Sequence, residues 1–327
     1  MPRLVAAPDK FRGTATARQV AGAIAAAARA AGWECDEVPV ADGGEGILDA
    51  LGGRMRSSPV HGPLGDWVEA EWRLQGSTAV VEMARASGLA LLGGPEHNDP
   101  IRASTVGTGE LIAAAVGEGA QRVIIGLGGS ATTDGGYPCV QALEPHSRLH
   151  GVELLVACDV TTRFLDAATV FAPQKGATAA QVDLLSRRLA RLAQVYEDNF
   201  GVDVRQLEGG GAAGGLAGGL AALGGHLRPG FDLVADAVEL DERIEGADLV
   251  VTGEGLLDDQ SFNGKAVGGV AAMAAGMKVP VLVVAGDAVG DQPVAFVSLV
   301  ARFGQERARA DTLACVEEVV REHLARS

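Results

Sequence analysis

The stretch Arg122-Val-Ile-Ile-Gly-Leu-Gly-Gly-Ser-Ala-Thr-Thr-Asp-Gly-Gly136 joins a short apolar run to a loop rich in glycine and hydroxyl side chains. The run is typical of a buried parallel strand. Glycines just after a strand let backbone N–H groups approach an anion closely. The loop therefore predicts a phosphate or carboxylate cradle, although a tight strand-to-helix connection would use the same residues. The candidate binding residues are Gly128, Gly129, Ser130, Thr132 and Asp134.

Outward from this loop, short apolar runs alternate with longer Ala-rich amphipathic stretches. This alternation predicts an α/β fold whose mainly parallel sheets are covered by helices. Strands are predicted at residues 4–7, 37–40, 79–83, 123–127, 154–158, 249–252, 281–285 and 295–300. Helices are predicted at residues 19–31, 109–117, 181–199, 211–223, 267–275 and 315–325. Residues 67–74 alternate polar and apolar side chains and indicate an antiparallel strand.

Charged residues gather just after the predicted strands, where open α/β sheets bind their ligands. Phosphoryl transfer to an alcohol needs a carboxylate that accepts the hydroxyl proton, oxygen ligands for Mg²⁺, and cations that offset charge on the transferred group. The sequence offers all three kinds of group. The acidic candidates are Asp9, Asp159 and Glu254, of which Asp159 and Glu254 are also the candidate metal ligands. The basic candidates are Lys10, Arg12, Lys175 and Lys265.

The segment Ser104-Thr-Val-Gly-Thr-Gly-Glu110 begins a predicted helix. Free N–H groups at a helix start can hold phosphate oxygens, which makes Thr105 and Thr108 further binding candidates. An ordinary N-cap by a threonine explains the same pattern. Both interpretations stay open.

Composition and charge narrow the class of protein. A chain of 327 residues with 47% hydrophobic side chains is long enough for two cores. Its formal charge of −15 argues against nucleic-acid and anionic-membrane partners. The four cysteines are scattered without metal-site spacing, and the N-terminal residues lack a signal-peptide pattern. We therefore expect a cytoplasmic protein.

Other chemistries have weaker signals. Gly126-x-Gly128-x-x-Ala131 is a formal dinucleotide fingerprint, but no acidic residue follows at a strand end about 20 residues later. An NAD-dependent dehydrogenase thus remains an alternative. Gly264-Lys265 lacks the other residues of a Walker P-loop. The histidines lie far apart, which argues against a zinc hydrolase.

Several motifs stand in a fixed order along almost the whole chain. Pro8-Asp-Lys-Phe-Arg-Gly-Thr14 and Ala41-Asp-Gly-Gly-Glu-Gly46 precede the Gly126–Gly136 loop. After it come Cys158-Asp-Val-Thr161, Pro173-Gln-Lys-Gly-Ala177, Gly211-Ala-Ala-Gly-Gly-Leu216, Ala247–Gly255 and Gly264-Lys265. Taken together, these motifs resemble the glycerate kinase family, which is distinct from the P-loop and ribokinase-like kinases.

The resemblance implies two α/β domains with the active site in the cleft between them. One is a discontinuous Rossmann-like or flavodoxin-like domain of residues 1–55 and 232–327, and the other is an inserted α/β domain of residues 56–231 with a mixed sheet. It further implies ATP-dependent phosphorylation of D-glycerate to 2-phosphoglycerate, with Mg²⁺ as cofactor. The second motif adds Asp42, Gly43, Gly44 and Glu45 to the binding candidates. The oligomeric state is left open, with a homodimer among the alternatives.

The chain also departs from the family pattern. Lys10 stands where the family usually has serine, Arg12 where it has lysine, and Leu256 where it has arginine. The segment between Gly136 and Leu154 is shorter than in relatives. These departures keep two alternatives open, a kinase for another small hydroxy acid and a catalytically silent homologue that binds a hydroxy acid or a nucleotide.

Overall fold

A computed structural model describes residues 1–44, 46–262 and 264–326. The chain divides into two compact units, each built around its own sheet. The first unit contains Met1–Asp42, Asp49–Leu51 and the chain from Phe231 onward, and the second contains Gly43–Leu48 and Gly52–Gly230. The predicted α/β fold is confirmed. The domain limits expected from the sequence, between residues 55 and 56 and between 231 and 232, stay a prediction.

The strands are β1 (Arg3–Ala6), β2 (Glu34–Glu37), β3 (Arg54–His61), β4 (Trp67–Gln75), β5 (Thr78–Glu82), β6 (Arg122–Gly126), β7 (Glu153–Ala157), β8 (His226–Arg228), β9 (Leu249–Leu257), β10 (Val281–Ala288) and β11 (Phe296–Ser298). The helices are α1 (Ala17–Ala30), α2 (Ile47–Ala50), α3 (Ala84–Ser87), α4 (Val106–Gly117), α5 (Tyr137–Ala142), α6 (Ala167–Phe171), α7 (Ala179–Phe200), α8 (Ala212–Ala222), α9 (Gly230–Ala237), α10 (Leu240–Ile244), α11 (Ala266–Gly276), α12 (Leu299–Phe303), α13 (Gln305–Ala310) and α14 (Thr312–Leu324). No helix within the described ranges is long and apolar enough to cross a membrane.

The first unit contains a parallel sheet with the strand order β11-β10-β9-β1-β2. Ile24 of α1 and Val316 of α14 pack with Leu4 and Val251 in one core cluster. Val267 of α11 belongs to a separate cluster with other residues of β9 and β10. Because helices cover both faces, the strands are nearly continuous apolar runs, which is why the sequence predicts them well.

The second unit contains a mixed sheet with the strand order β3-β4-β5-β6-β7-β8. The β3–β4 and β4–β5 pairs are antiparallel, and the remaining pairs are parallel. The antiparallel strand expected at residues 67–74 is β4. Strand β3, which the sequence analysis did not identify, lies at the edge of the sheet and is mostly polar, so it lacks the apolar run used to find the other strands.

The strand predicted at residues 37–40 is wrong, because β2 ends at Glu37. Val38 and Val40 are nevertheless buried, and their N–H groups donate to the carbonyls of Ala6 at 2.8 Å and Pro8 at 3.0 Å. The apolar alternation thus belongs to an extended connection that packs into the core. Burial alone does not distinguish such a connection from a strand.

A kink in α8 lets it approach the Gly126–Gly136 loop. Ala213, Gly214 and Gly215 have positive φ angles of 52°, 69° and 95°. A Cβ atom at Gly214 would lie 2.1 Å from the Thr132 carbonyl oxygen, so only glycine fits there. The Gly214 carbonyl accepts a hydrogen bond from the Gly135 N–H at 3.0 Å. The kink therefore packs the backbone of α8 directly against the loop.

Candidate functional site

In the first unit, the carboxyl edge of the sheet brings two acidic residues onto neighbouring strands. Asp9 follows β1, and Glu254 lies on β9, which pairs with β1. From β1 the chain continues to β2 on one side, whereas β9 and β10 lie on the other side. Ligands of open α/β sheets bind at such a reversal of strand order.

A cavity of about 600 Å³ opens at this edge, and we call it the carboxylate cavity. Its volume lies within the usual range for small-molecule sites. Six of the residues predicted from the sequence line it, namely Asp9, Lys10, Arg12, Asp42, Glu254 and Lys265. Folding thus brings together residues from four separate motifs.

Asp9 is the most perturbed acid of the carboxylate cavity. Its side chain is buried, and burial raises its pKa from 3.8 to about 7 even though Lys10 lowers it. The Lys10 Nζ atom lies 3.9 Å from Asp9 Oδ1 and 4.0 Å from Asp42 Oδ1. The carboxylates of Asp42 and Glu254 raise the Asp9 pKa further. A carboxylate with a pKa near neutrality is suited to accept and release a proton.

Glu254 presents a buried oxygen to the same cavity. Within the described chain, its Oε1 atom has no hydrogen-bond partner. Burial raises the pKa of Glu254, while Ser261 and Lys265 lower it. Hard cations such as Mg²⁺ bind carboxylate oxygens, so an unpartnered oxygen fits a metal ligand.

The described residues contain no cluster of three or more His, Cys, Asp or Glu side chains that could hold a metal ion. Mg²⁺ in phosphoryl-transfer sites is usually held by one or two carboxylates together with substrate phosphates. Glu254 fits that mode of binding, which needs few protein ligands.

Glycines form close contacts around the carboxylate cavity. A Cβ atom at Gly255 would lie 2.8 Å from the Arg12 backbone nitrogen, and one at Gly286 would lie 2.4 Å from the Gly255 carbonyl oxygen. The segments after β1, in β9 and in β10 therefore pack backbone against backbone. Larger residues at these two positions would displace the segment that carries Arg12.

In the second unit, the Gly126–Gly136 loop and the end of β7 line a cavity of about 440 Å³, which we call the lysine cavity. Strands β6 and β7 are adjacent and parallel, with Gly126 opposite Ala157. Six predicted residues line this cavity, namely Gly44, Gly128, Gly129, Ser130, Asp159 and Lys175.

Lys175 is buried at the wall of the lysine cavity. Its Nζ atom donates to Ser130 Oγ at 2.7 Å and to the Thr132 carbonyl at 2.6 Å. Burial lowers the pKa of Lys175 from 10.5 to about 7, whereas Asp134 raises it. An ammonium group has three N–H donors, so one remains for an anion in the cavity.

Asp134, Thr105 and Thr108 have a different position from the other candidates. Asp134 Oδ2 accepts from the Thr105 N–H at 2.7 Å and its hydroxyl at 2.9 Å, and Oδ1 accepts from the Gly136 N–H at 3.0 Å. Thr108 shares a hydrogen bond of 2.8 Å with Ser87. The three residues line neither of the two cavities just described. The Thr105–Asp134 contacts attach the loop to the start of α4, and the Thr108–Ser87 contact joins α4 to α3.

The remaining candidates lie around the lysine cavity or outside the described residues. Asp159 is exposed, and its Oδ1 accepts from the Gly230 N–H at 2.7 Å. A Cβ atom at Gly43 would lie 2.3 Å from the Gly230 Cα, so the backbones approach closely here. Thr132, a residue of the loop itself, is buried and lines neither cavity. Glu45 lies outside the described residues.

Sequence reasoning missed Glu82, a buried carboxylate at the end of β5. Its Oε1 accepts from the N–H groups of Gly46 at 2.8 Å and Leu48 at 3.2 Å, and its Oε2 accepts from Arg85 Nε at 3.2 Å. Glu82 thereby holds the chain at the end of the Ala41–Gly46 motif. The rule that polar residues at strand ends carry function would have identified it, since it ends a predicted strand.

Comparison with known proteins identifies the same family as the sequence motifs. The sequence model of the glycerate kinase family matches residues 4–145 and 144–303. A glycerate kinase from Bacillus subtilis (strain 168) is 40% identical over 324 residues, which cover 87% of this chain and 85% of that protein. A glycerate 2-kinase from Escherichia coli (strain K12) is 39% identical over 329 residues, which cover 88% of this chain and 86% of that protein.

A solved structure is similar as well. A crystal structure assigned to glycerate kinase 2 of Salmonella typhimurium LT2 superimposes with a TM-score of 0.88 at 35% identity. The match covers 99% of this chain and 97% of that chain. Fold and sequence therefore agree along nearly the whole length.

Proposed function

The chain belongs to the glycerate kinase family and is a kinase, and we propose that it transfers the γ-phosphoryl group of ATP to D-glycerate, giving 2-phosphoglycerate. The observation that carries this proposal is the content of the carboxylate cavity. It combines Asp9, whose pKa is about 7, with the unpartnered oxygen of Glu254. Lys10, Arg12 and Lys265 add positive charge to the same cavity.

In the proposed reaction, a glycerate hydroxyl oxygen bonds to the γ-phosphorus of ATP as the bond to the β–γ bridging oxygen breaks and ADP leaves. Asp9 accepts the hydroxyl proton. Lys10, Arg12 and Lys265 offset the negative charge of the phosphates. Glu254 would hold Mg²⁺, which would supply charge neutralisation to the phosphate oxygens.

The lysine cavity has a separate role in the proposal. The N–H groups of Gly128 and Gly129, the Ser130 hydroxyl and the Lys175 ammonium bind anionic oxygens of the substrates. Asp159 is a second candidate metal ligand. Asp42, Gly43, Gly44 and Glu45 remain binding candidates on the strength of the resemblance.

Replacement of the metal-binding candidate tests the proposal directly. We expect the parent protein to release ADP from MgATP when D-glycerate is added. Glu254→Gln should lower kcat by about 100-fold or more, because a neutral amide is a poor Mg²⁺ ligand. Glu306→Gln, an exposed carboxylate of α13, serves as the control and should leave kcat unchanged. A Glu254→Gln rate within a few-fold of the parent rate would contradict the assignment.

The position of the new phosphate needs its own measurement. Enolase acts on 2-phosphoglycerate and not on 3-phosphoglycerate, so coupling to enolase distinguishes the two products. We expect enolase turnover to follow ADP release one for one. ADP release without enolase turnover would support kinase activity but would show that the product is not 2-phosphoglycerate.

A further inference from the structure

We propose that the second unit binds a small monocarboxylate with an apolar body, in a cavity between α7 and the back of the Gly126–Gly136 loop. This α7 cavity has a volume of about 370 Å³. Its lining includes Ile101, Thr133, Tyr137, Leu189, Arg191 and Leu192. None of its lining residues lines the carboxylate cavity or the lysine cavity.

The walls of the α7 cavity are mainly apolar. Leu185, Leu189 and Leu192 follow one another on one face of α7, at the spacing of neighbouring helical turns. Further apolar lining comes from Pro100, Ile101, Tyr137, Pro138 and Val195. A hydrocarbon group would therefore leave water on entering, which favours binding in proportion to the area that it buries.

One residue of the lining carries a buried polar atom without a partner. The Thr133 side chain is 1% exposed, and its Oγ1 atom has no hydrogen-bond partner within the described chain. A buried hydroxyl without a partner is costly. This atom is closed off from the cavity, so a ligand oxygen would accept its hydrogen bond only after neighbouring side chains move.

The charges around the cavity favour an anion. Arg188 and Arg191 lie three residues apart on α7, and both are exposed and line the cavity. Arg188 donates to the Ile101 carbonyl at 3.1 Å, which keeps its guanidinium at the rim. The one acid in the lining, Asp134, already accepts hydrogen bonds from Thr105 and Gly136. Two guanidinium groups thus select a carboxylate.

The α7 cavity adjoins the loop that also carries Ser130. The Tyr196 hydroxyl of α7 donates to the Gly135 carbonyl at 2.9 Å. A Cβ atom at Gly135 would lie 2.3 Å from Leu192 Cδ2, so helix and loop pack without spare room. A ligand that moves Leu192 would therefore shift the loop and change the contact between Ser130 and Lys175. This coupling rests on the proposed function of the lysine cavity.

Calorimetric titration of the full chain with phenylacetate tests the site. We expect saturable binding at one site per chain, and phenylacetamide, which has the same shape without the charge, should bind about fivefold or more weakly. Arg191→Gln should weaken phenylacetate binding. Arg187→Gln is the matched control, because Arg187 is an exposed residue of the same helix that does not line the cavity.

Three results would overturn the proposal. The first is no saturable binding of phenylacetate to the parent, and the second is equal binding of phenylacetamide. The third is sedimentation of the parent as a dimer that Arg191→Gln converts to a monomer while phenylacetate does not bind, which would make a second copy of the chain the occupant.

A kinase assay tests whether ligand binding at the α7 cavity affects the kinase reaction. Saturating phenylacetate should change the KM for glycerate at least about twofold in the parent and not in Arg191→Gln. Phenylacetate binding with an unchanged KM would show that the site exists but is not coupled to the kinase reaction. Absence of glycerate phosphorylation in the parent would remove the proposed function, while the titration would still decide whether the site exists.

Discussion

The carboxylate cavity and the lysine cavity bury groups of opposite charge, and both groups reach a pKa of about 7. Burial raises the pKa of Asp9 in the first cavity and lowers that of Lys175 in the second. Lys10 lies 3.9 Å from Asp9 and opposes the shift without cancelling it. The comparison shows that loss of water outweighs a single nearby charge at both sites.

The partners of the two groups differ, and this difference suggests their roles. Asp9 has the cation Lys10 beside it, whereas Lys175 is held by the neutral oxygens of Ser130 and Thr132. A substrate anion near Lys175 would favour its charged form. Asp9 is therefore suited to exchange a proton in the reaction, and Lys175 is suited to gain charge when a substrate arrives.

The largest expected effect separates these roles by kinetics. Asp9→Asn should lower kcat by about 100-fold or more, because general-base catalysis is worth that much. Lys175→Met should act mainly on KM, which we expect to rise about tenfold or more through loss of a charge-assisted hydrogen bond. Steady-state rates with varied D-glycerate and ATP measure both. If Asp9→Asn changed only KM and Lys175→Met only kcat, the two roles would have to be exchanged.

The next effect is on stability and has opposite pH dependence for the two groups. Between pH 3.8 and about 7, folding takes up a proton at Asp9, so this group's contribution to the free energy of unfolding falls as pH rises. Between about 7 and 10.5, folding releases a proton at Lys175, so its contribution rises with pH. Each change is on the order of a few kcal/mol at most.

Urea unfolding of the parent and the two variants from pH 5 to 9 measures this opposition. The stability of Asp9→Asn relative to the parent should grow with pH and level off above about pH 7. The stability of Lys175→Met relative to the parent should decline above about pH 7. Parallel curves for the parent and both variants would mean that neither group titrates near neutrality.

The smallest effect concerns Leu256, which is half-exposed at the carboxylate cavity. Leu256→Arg introduces the cation that the resemblance implies at this position, and we expect the KM for ATP to fall about threefold, since an exposed charge contributes little. Leu256→Met is the uncharged control. A shift of the acid limb of the rate profile by more than about one pH unit would show that charge controls the Asp9 pKa as strongly as burial does.

The segment between Gly136 and Leu154, which the resemblance leads us to expect is shorter than in relatives, gives a second contrast between sequence and structure. In the sequence it directly follows the glycine-rich loop, which suggests an effect on the site. In the structure, the segment begins with α5, and residues 143–152 lead into the amino end of β7. Asp159 and the Gly126–Gly136 loop follow the carboxyl ends of β7 and β6. The segment therefore runs from the edge of the sheet that carries the loop to the opposite edge.

Hydrogen bonding decided the positions of other candidates. Nothing in the sequence distinguishes Asp134 from Asp159, since both follow a buried strand. In the structure, Asp134 accepts the N–H and hydroxyl of Thr105, while Asp159 is exposed at the lysine cavity. Glu82 was missed for a similar reason, because its partners Gly46 and Leu48 are more than thirty residues away in sequence.

The sequence by itself determined the α/β class, most helices and strands, and the residues that can carry charge at strand ends, because these depend on local periodicity. Tertiary structure alone decided that Asp9 lies beside Glu254 and that Lys175 lies against Ser130. It also decided the shifted pKa values of Asp9 and Lys175. Burial produces those shifts, and burial depends on contacts between residues far apart in the chain.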